Sequence, residues 1–312
     1  MIFNYFRLRT PLIYINTPNV QQAIDAASPE SVIILSGGLF NGFQINKKLK
    51  IVGAGYTEDS TKGTGRTIIY GLVDFGLNSS GSSISGMFFK DLGNSSANIL
   101  IYPRENNLIV ESIEVSRCYV PFLYLIVNSN ASIVNCMFKE NVIHTLNASG
   151  VTIANIKGIS VLNNIVYSHV LPPNTLIANN ILSNSLSYSE YRNNIFLNSS
   201  AFTTNTRFYN NVGGVNGTMD LQGNQGSGNF LDEDINAIFV KSNDADPLKN
   251  DYHLTKSYLN TGGTDGKPIG IYGGDGFSPI PSIPYIEFKE VAKQTNNQGQ
   301  LPINFRVKAR KN

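Results

Sequence analysis

The chain has 312 residues, enough for two average domains, yet charged residues are only 15% of it against roughly 25% in an ordinary soluble protein. Lys and Arg total 24 and Asp and Glu 22, a formal +2 whose basic residues group only at Arg306, Lys308, Arg310 and Lys311, which excludes the electrostatic footprint of a nucleic-acid binder. An apolar share of 41% argues against disorder, and no apolar run approaches the roughly 20 residues of a membrane-spanning helix.

Asn is the most informative residue type, with 39 copies, one residue in eight, while Trp is absent. The Asn side chain competes for backbone hydrogen bonds, so helix interiors disfavour it and a mainly helical fold is not expected. In chain order, residues 1–16 (MIFNYFRLRTPLIYIN) are apolar, but Arg7, Arg9 and Pro11 interrupt them and no small-residue cleavage site follows. They read as a leader or arm rather than a secretory signal. Next, Thr17 with Pro18, or Asn19 with Gln22 three residues on, caps a short helix over 19–27 that sets Val20, Ala23, Ile24 and Ala27 on one face. Two or three turns with one apolar stripe are marginal in isolation, so this helix has to sit on something larger.

Short β runs follow at Val32 to Leu35, Gly37 to Phe40, Phe43 to Ile45 and Leu49 to Gly55, separated by Gly- and Lys-containing turns. The succession QQAIDAASPESVIILSGGLF and FQINKKLKIVGAGY resembles the opening of pectate-lyase-like right-handed parallel β-helix proteins. That resemblance implies that the short helix plugs the N-terminal end of a solenoid and that Gly53 and Gly55 sit at a turn of its second coil.

Internal repetition supports a solenoid independently. Asn163-Asn164, Asn179-Asn180, Asn193-Asn194 and Asn210-Asn211 are each preceded by an apolar-x pair and followed by Ile or Val. The frame extends backwards through Asn135-Cys136, Arg117-Cys118 and Gly86-Met87. Parallel strands stacked about 4.8 Å apart bring like residues into register, and a column of amides can hydrogen-bond along the stack. Like charges at that spacing repel, which accounts for the low charge. At roughly 20 residues per coil, residues 30–250 make about eleven coils and a rod about 50 Å long. In this frame Cys118 and Cys136 are neighbours in one column, leaving two readings, stacked free thiols or a bridge, with the parallel side chains favouring the thiols.

Residues 244–278, containing NDYHL, TDG and IGIYGG, resemble the closing segment of secreted β-helix proteins. The Asp and Gly spacing does not fit an EF-hand, so Asp246, Asp251, His253 and Asp265 read as turn and hydrogen-bond residues. Residues 279–284 form a Pro-rich linker, and 285–312 alternate in polarity as a hairpin that is too small to be stable by itself and serves as a cover. This tail is similar to the endings of uncharacterised secreted or cell-surface β-helix proteins of Bacteroidetes type. The expected fold class is all-β, a single-stranded right-handed parallel β-helix (solenoid) with an N-terminal capping helix and a C-terminal β-hairpin cover. Residues 17–278 form its body.

Fold does not choose function, so sites must. From Val115 to Phe230 the only acidic residues are Glu140, Glu190 and Asp220, which departs from the acidic cluster of calcium-dependent lyases and from the paired carboxyls of glycosidases. The first reading is an extracellular or cell-surface rod, a rigid binding scaffold for a polysaccharide or cell-surface glycan, without catalysis in this chain. The alternative is a polysaccharide lyase or glycoside hydrolase with Lys139, Glu140 and His144 as catalytic candidates, on what reads as a long coil excursion from Lys139 to Ser160. A further alternative is a phage tail or virion component. Substrate-binding candidates are Tyr188, Tyr191, Arg192 and Arg117, which offer aromatic faces and guanidinium groups to a sugar; Tyr167 with His169 is a similar pair. No cofactor or metal is expected, calcium entering only under the enzyme reading. The expected partners exclude nucleic acid and a membrane span, and an oligomer of rods is compatible with the pattern.

Overall fold

The computed structural model describes residues 10–57, 64–93, 96–128, 130–150, 153–183, 189–198, 206–214, 224–279 and 285–308. Eleven parallel strands form one sheet, from Leu12–Ile15 and Val32–Leu35 through Met137–Lys139 and Glu190–Arg192 to Gln225–Ser227. Eleven more form a second, from Gly38–Ile45 through Tyr119–Val127, Val142–Gly150 and Ile165–Val170 to Phe230–Glu233. Three short strands, Ile109–Glu111, Ser132–Val134 and Ile156–Lys157, add a third sheet to the middle of the stack. Each strand pairs with its equivalent one turn later, as Val115 with Phe138, Phe138 with Val161 and Val161 with Ile177. This is a parallel β-helix. Because side chains alternate along a strand, Val115, Phe138, Val161, Ile177, Tyr191 and Phe208 all point inward and are at most 1% exposed.

The Asn repeat marks the corner between the first and second sheets. The residue after the strand is left-handed in coil after coil, with φ of 51° at Arg117, 57° at Glu140, 54° at Asn163, 57° at Asn179, 53° at Asn193 and 51° at Asn210. Asn tolerates this conformation better than most residues because its short side chain can bond locally. The following residue points inward, giving a buried ladder of Asn141, Asn164, Asn180, Asn194 and Asn211. From Asn164 onward each Oδ1 accepts from the backbone N–H and the Nδ2 of the preceding coil, as Asn180 does from Asn164 at 2.8 and 3.1 Å. Each Nδ2 also donates to backbone carbonyls, as Asn180 does to Val161 and Ala178 at 2.8 and 2.9 Å. The buried amides are thereby satisfied, without which each would be destabilising.

Register corrects the cysteine frame. Glu114 pairs with Met137 and Ser116 with Lys139, so the residue in the column of Cys118 is Asn141, whose Oδ1 accepts from the Cys118 N–H at 2.9 Å. Cys136 follows the strand Ser132–Val134 at a different corner. Both cysteines are free and buried, and burial pushes each thiol up to about 12.

The helix spans Val20–Ala26, with Val20 and Ile24 buried in the main core. The expected Asn19 side-chain cap does not form. The other end is held instead by Lys47, whose Nζ donates to the carbonyls of Asp25 and Ala27, both at 3.0 Å. The leader is partly rod: Leu12–Ile15 pairs residue by residue with Val32–Leu35 as the outermost strand of the first sheet.

Residues 244–278 do not end the last coils, as the sequence suggested, but turn back along the rod. The backbone first makes an antiparallel pair, Phe239–Lys241 with Asp251–Leu254, and then descends the corner coil by coil. Asn210 Nδ2 donates to the Gly262 carbonyl at 2.7 Å, the Thr264 N–H donates to Asn193 Oδ1 at 2.9 Å, and Asn163 Nδ2 donates to the Ile271 and Gly273 carbonyls at 2.9 and 2.7 Å. The Ser278 N–H reaches Glu140 at 3.0 Å. Ile269 and Ile271 of this strap seal a second core outside the rod, against Val142, Ile165, Ile181, Ile195 and Val212. Two glycines permit the approach. Gly270 has φ +85° against Ile195, and a Cβ on Gly273 would stand 2.2 Å from the Pro268 carbonyl oxygen.

Asp246, Asp251 and Asp265 accept backbone N–H bonds from Leu248, His253 and Lys267, the turn roles expected of them. The hairpin pairs Tyr285–Val291 with Ile303–Lys308, and every residue of the second strand is exposed, Phe305 at 61%. The linker residues 280–284 lie outside the described residues. No helix among the described residues is long and apolar enough to cross a membrane.

Candidate functional site

A concavity lies between the outer face of the second sheet and the segment 235–252. It comprises two connected clefts of about 490 and 630 Å³ that share His144, Ala245 and Pro247. Its floor is one outward side chain from each of four successive coils: Phe88, Tyr119, His144 and Tyr167. Phe88 pairs with Tyr119, and His144 lies between the pairs Ile143–Val166 and Thr145–Ser168, level with Tyr167. The Phe88 and Tyr119 rings stack at 4.7 Å and 6°, so they present edges to the groove. His144 turns 70° from Tyr119 at 5.5 Å, and Tyr167 lies 5.3 Å from His144 at 45°. The Arg66 guanidinium covers Phe88 at 4.6 Å.

The opposite wall is knit by its own hydrogen bonds. Asp246 caps the single 3-10 turn Pro247–Lys249, Asn250 exchanges bonds with the Asp244 backbone at 2.9 and 3.1 Å, and Lys241 donates to Asp244 and to the Lys249 carbonyl, both at 3.1 Å. The groove is therefore preformed rather than made by a loose loop. Tyr119 Oη and His144 Nε2 are 2.8 Å apart. Burial raises the Tyr119 and Tyr167 phenols and lowers His144, so the pair is neutral at pH 7.

The sequence candidates scatter. Lys139, Glu140 and His144 do not share a flexible excursion, because the residues after Lys139 form a turn and the strand Val142–Gly150 of the scaffold itself. Lys139 faces outward on the first sheet, 3.3 Å from Glu114. Glu140 sits at the corner and takes Arg117 in a two-point contact, 2.8 and 3.1 Å. Arg117 thus holds an internal carboxylate. His144 alone of the three enters the groove. Tyr191 is 0% exposed, stacked on Phe208 at 5.3 Å in the main core, so it cannot meet a sugar. His169 is buried beside it at 3.3 Å, which removes that pair as well, while its strand-mate Tyr167 faces out. Tyr188 lies outside the described residues. Arg192 is exposed on the outer face of the first sheet.

Sequence reasoning missed Phe88, Tyr119, Arg66 and the wall residues. The register sets Phe88 and Tyr119 in one column and His144 and Tyr167 in another, Tyr119 pairing with Val142 rather than His144, so the floor is legible only once the strand pairing is known, and the wall comes from a segment far along the chain. Glu114 and Glu190 do share a first-sheet column, but four rungs of about 4.8 Å put them roughly 19 Å apart, beyond a glycosidase pair. Asp244 and Asp246 each hold a backbone N–H and face a lysine. Among the described residues, no group of three or more His, Cys, Asp or Glu side chains is placed to hold a metal ion. Comparison with family models and with curated proteins finds no match for this chain.

Proposed function

We propose that the protein is an extracellular or cell-surface β-helix scaffold that binds a polysaccharide or cell-surface glycan in this groove without transforming it. One observation carries the reading: a preformed groove crosses four coils and combines aromatic rings with hydroxyl and amide groups held in place. Sugars offer apolar C–H faces and a rim of hydroxyls, which such a mixture complements. Tyr167, with no parallel-stacked ring among the described residues, and His144 supply the accessible faces. Asn236, Ser242 and Asn250 supply polar contacts across the cleft. The sequence resemblance to pectate-lyase-like β-helix proteins of secreted or cell-surface type is in keeping with this setting.

Retention of the purified protein on a panel of immobilised neutral and acidic polysaccharides tests the proposal. Binding to at least one member, weakened about tenfold by Tyr167→Ala, is expected, since losing a base-plane aromatic contact costs on the order of 1–2 kcal/mol. Retention on none, or retention indifferent to Tyr167→Ala and His144→Ala, overturns it.

A second reading, a polysaccharide lyase of the pectate-lyase-like superfamily, is favoured by one observation, the Tyr119–His144 contact. A neutral imidazole beside a phenol can remove and return a proton. Absorbance from unsaturated uronides, lost in His144→Ala, would establish it. The hydrolase form has no comparable support, because the wall carboxylates are committed to their own loop.

A further inference from the structure

The outer face of the first sheet carries a second constellation, away from the groove. Alternation along the strands turns Tyr191 and Phe208 into the core and sets Glu190, Arg192, Arg207 and Tyr209 outward. Parallel register then places Glu190 beside Arg207 and Arg192 beside Tyr209. Arg192 Nε donates to Glu190 Oε1, and Arg207 Nε lies 3.2 Å from Glu190 Oε2. The Arg192 guanidinium sits 5.5 Å from the centre of the Tyr209 ring. Among the described residues, one carboxylate thus serves two guanidiniums, and a positive charge is left over. The rungs on either side are uncharged: Leu176 and Ala178 before, Gln225 and Ser227 after.

Two arginines on adjacent rungs repel, and in a chain that otherwise fills its surface with Asn, Ser and Gly the arrangement is not a solubility device. Glu190 is mostly covered, its side chain 19% exposed, whereas Arg192 and Arg207 remain 47% and 51% exposed. Their Nε atoms contact the carboxylate while about half of each side chain is exposed, and guanidinium forks of this kind take planar or tetrahedral oxyanions. Tyr209 adds an aromatic edge beside it.

We propose that Arg192 and Arg207, poised by Glu190 and Tyr209, form an oxyanion-binding site for the carboxylate or sulfate ester of an acidic glycan. The oxyanion chemistry stands on these four residues, and its carriage by a glycan rests on the binding function proposed above. A prediction follows that a purely structural ion pair would not share: Glu190 competes with the ligand, so removing its charge strengthens binding.

The test is affinity electrophoresis of the full chain at low salt through dextran, dextran sulfate and polygalacturonate, with sodium sulfate as the free-ion competitor. Wild type is expected to prefer one or both acidic polymers over dextran by about tenfold, the gain from charge-assisted hydrogen bonds. Arg192→Gln with Arg207→Gln should abolish that preference, and Glu190→Gln should raise it about threefold. The arginines are half-exposed and Glu190 lies on the outer face of the sheet, and thermal melts of the variants check that folding is retained. A preference that survives the double substitution, or one that Glu190→Gln lowers or leaves unchanged, overturns the site. Displacement by sulfate at a concentration matched in charge to the polymer assigns the site to the free ion and overturns the glycan carrier. Retention on dextran that is lost in Tyr167→Ala, with no response to the arginine changes, leaves the groove standing and removes this proposal. Retention on no polymer while free sulfate still protects the wild type, but not the double variant, from thermal unfolding does the reverse.

Discussion

At the residue scale the fold depends on asparagines that are buried and fully bonded. Asn180 stands mid-ladder: its Oδ1 serves two donors of Asn164, and its Nδ2 reaches Asn194 and two carbonyls. Replacing it with Ala strands the Asn164 backbone N–H and takes a donor from the Val161 and Ala178 carbonyls, and at about 1–3 kcal/mol for each orphaned group a loss of about 3 kcal/mol or more is expected. Asn229, which serves the Asn211 N–H and Nδ2 in the same way but is only half-buried, is the internal control, with a loss of about 1 kcal/mol in Asn229→Ala. Urea midpoints at unchanged slope measure both; equal losses would remove the ladder as the stabilising device. His169 makes a second prediction. It is fully buried, meets Tyr191 Oη through Nε2, and its Nδ1 has no partner among the described residues; burial lowers it from 6.5 to about 4. The unfolded chain therefore takes up a proton that the folded chain refuses between those values. Stability is intact above pH 6.5 and falls as pH drops towards 4, by about 3 kcal/mol at most. Melting curves across that range should be flatter in His169→Leu than in wild type, while a parallel pair of curves would show that His169 does not control the loss.

At the scale of elements, legibility followed repetition. Four coils write Asn-Asn at the corner, so their frame could be read directly, and the helix Val20–Ala26 and the terminal hairpin announced themselves by local pattern. Coil by coil the frame then slipped, because the corner reads Glu140-Asn141 in one turn and Arg117-Cys118 in the next, while Asn135-Cys136 at another corner imitates the motif. The strap was illegible for a different reason. Its glycines and aspartates read as turns, which they are, but what seats it on the rod is hydrogen bonding to Asn163 and Asn193, 71 to 110 residues earlier. No periodicity within 258–278 encodes that. The groove inherits both difficulties, with a floor that needs the register and a wall that needs the reversal at 234–252. The exposure of Arg192, by contrast, follows from strand alternation alone, and the same alternation should have turned Tyr191 inward.

At the scale of the molecule, the rod is not uniform along its length. First-sheet strands begin at Ser83, Glu114, Met137 and Ser160 where the third sheet is present, and at Leu176 and Glu190 where it has ended. The later coils are shorter and enclose less, and the rings of Tyr191, Phe196 and Phe208 fill their lumen with centroids 5.3 to 6.0 Å apart. Solenoid stability is close to a sum of coil and neighbour contributions, so a narrow coil is a weak one unless something outside supports it. The strap lies on those coils, covering Ile165, Ile181, Ile195 and Val212, each worth about 1.5–3 kcal/mol when fully buried. Lifting the strap should therefore loosen one end of the rod and spare the other. Gly273→Ala does this in the full chain, because its Cβ meets backbone at 2.2 Å and Asn179 Oδ1 at 2.9 Å. Hydrogen exchange is expected to show lost protection in Leu176–Ala178, Glu190–Arg192 and Arg207–Tyr209, with Glu114–Ser116 and Tyr119–Val127 unchanged. Protection lost evenly along both sets would mean that the wide and narrow coils unfold as one unit, and the strap would then support the whole rod rather than its narrow end.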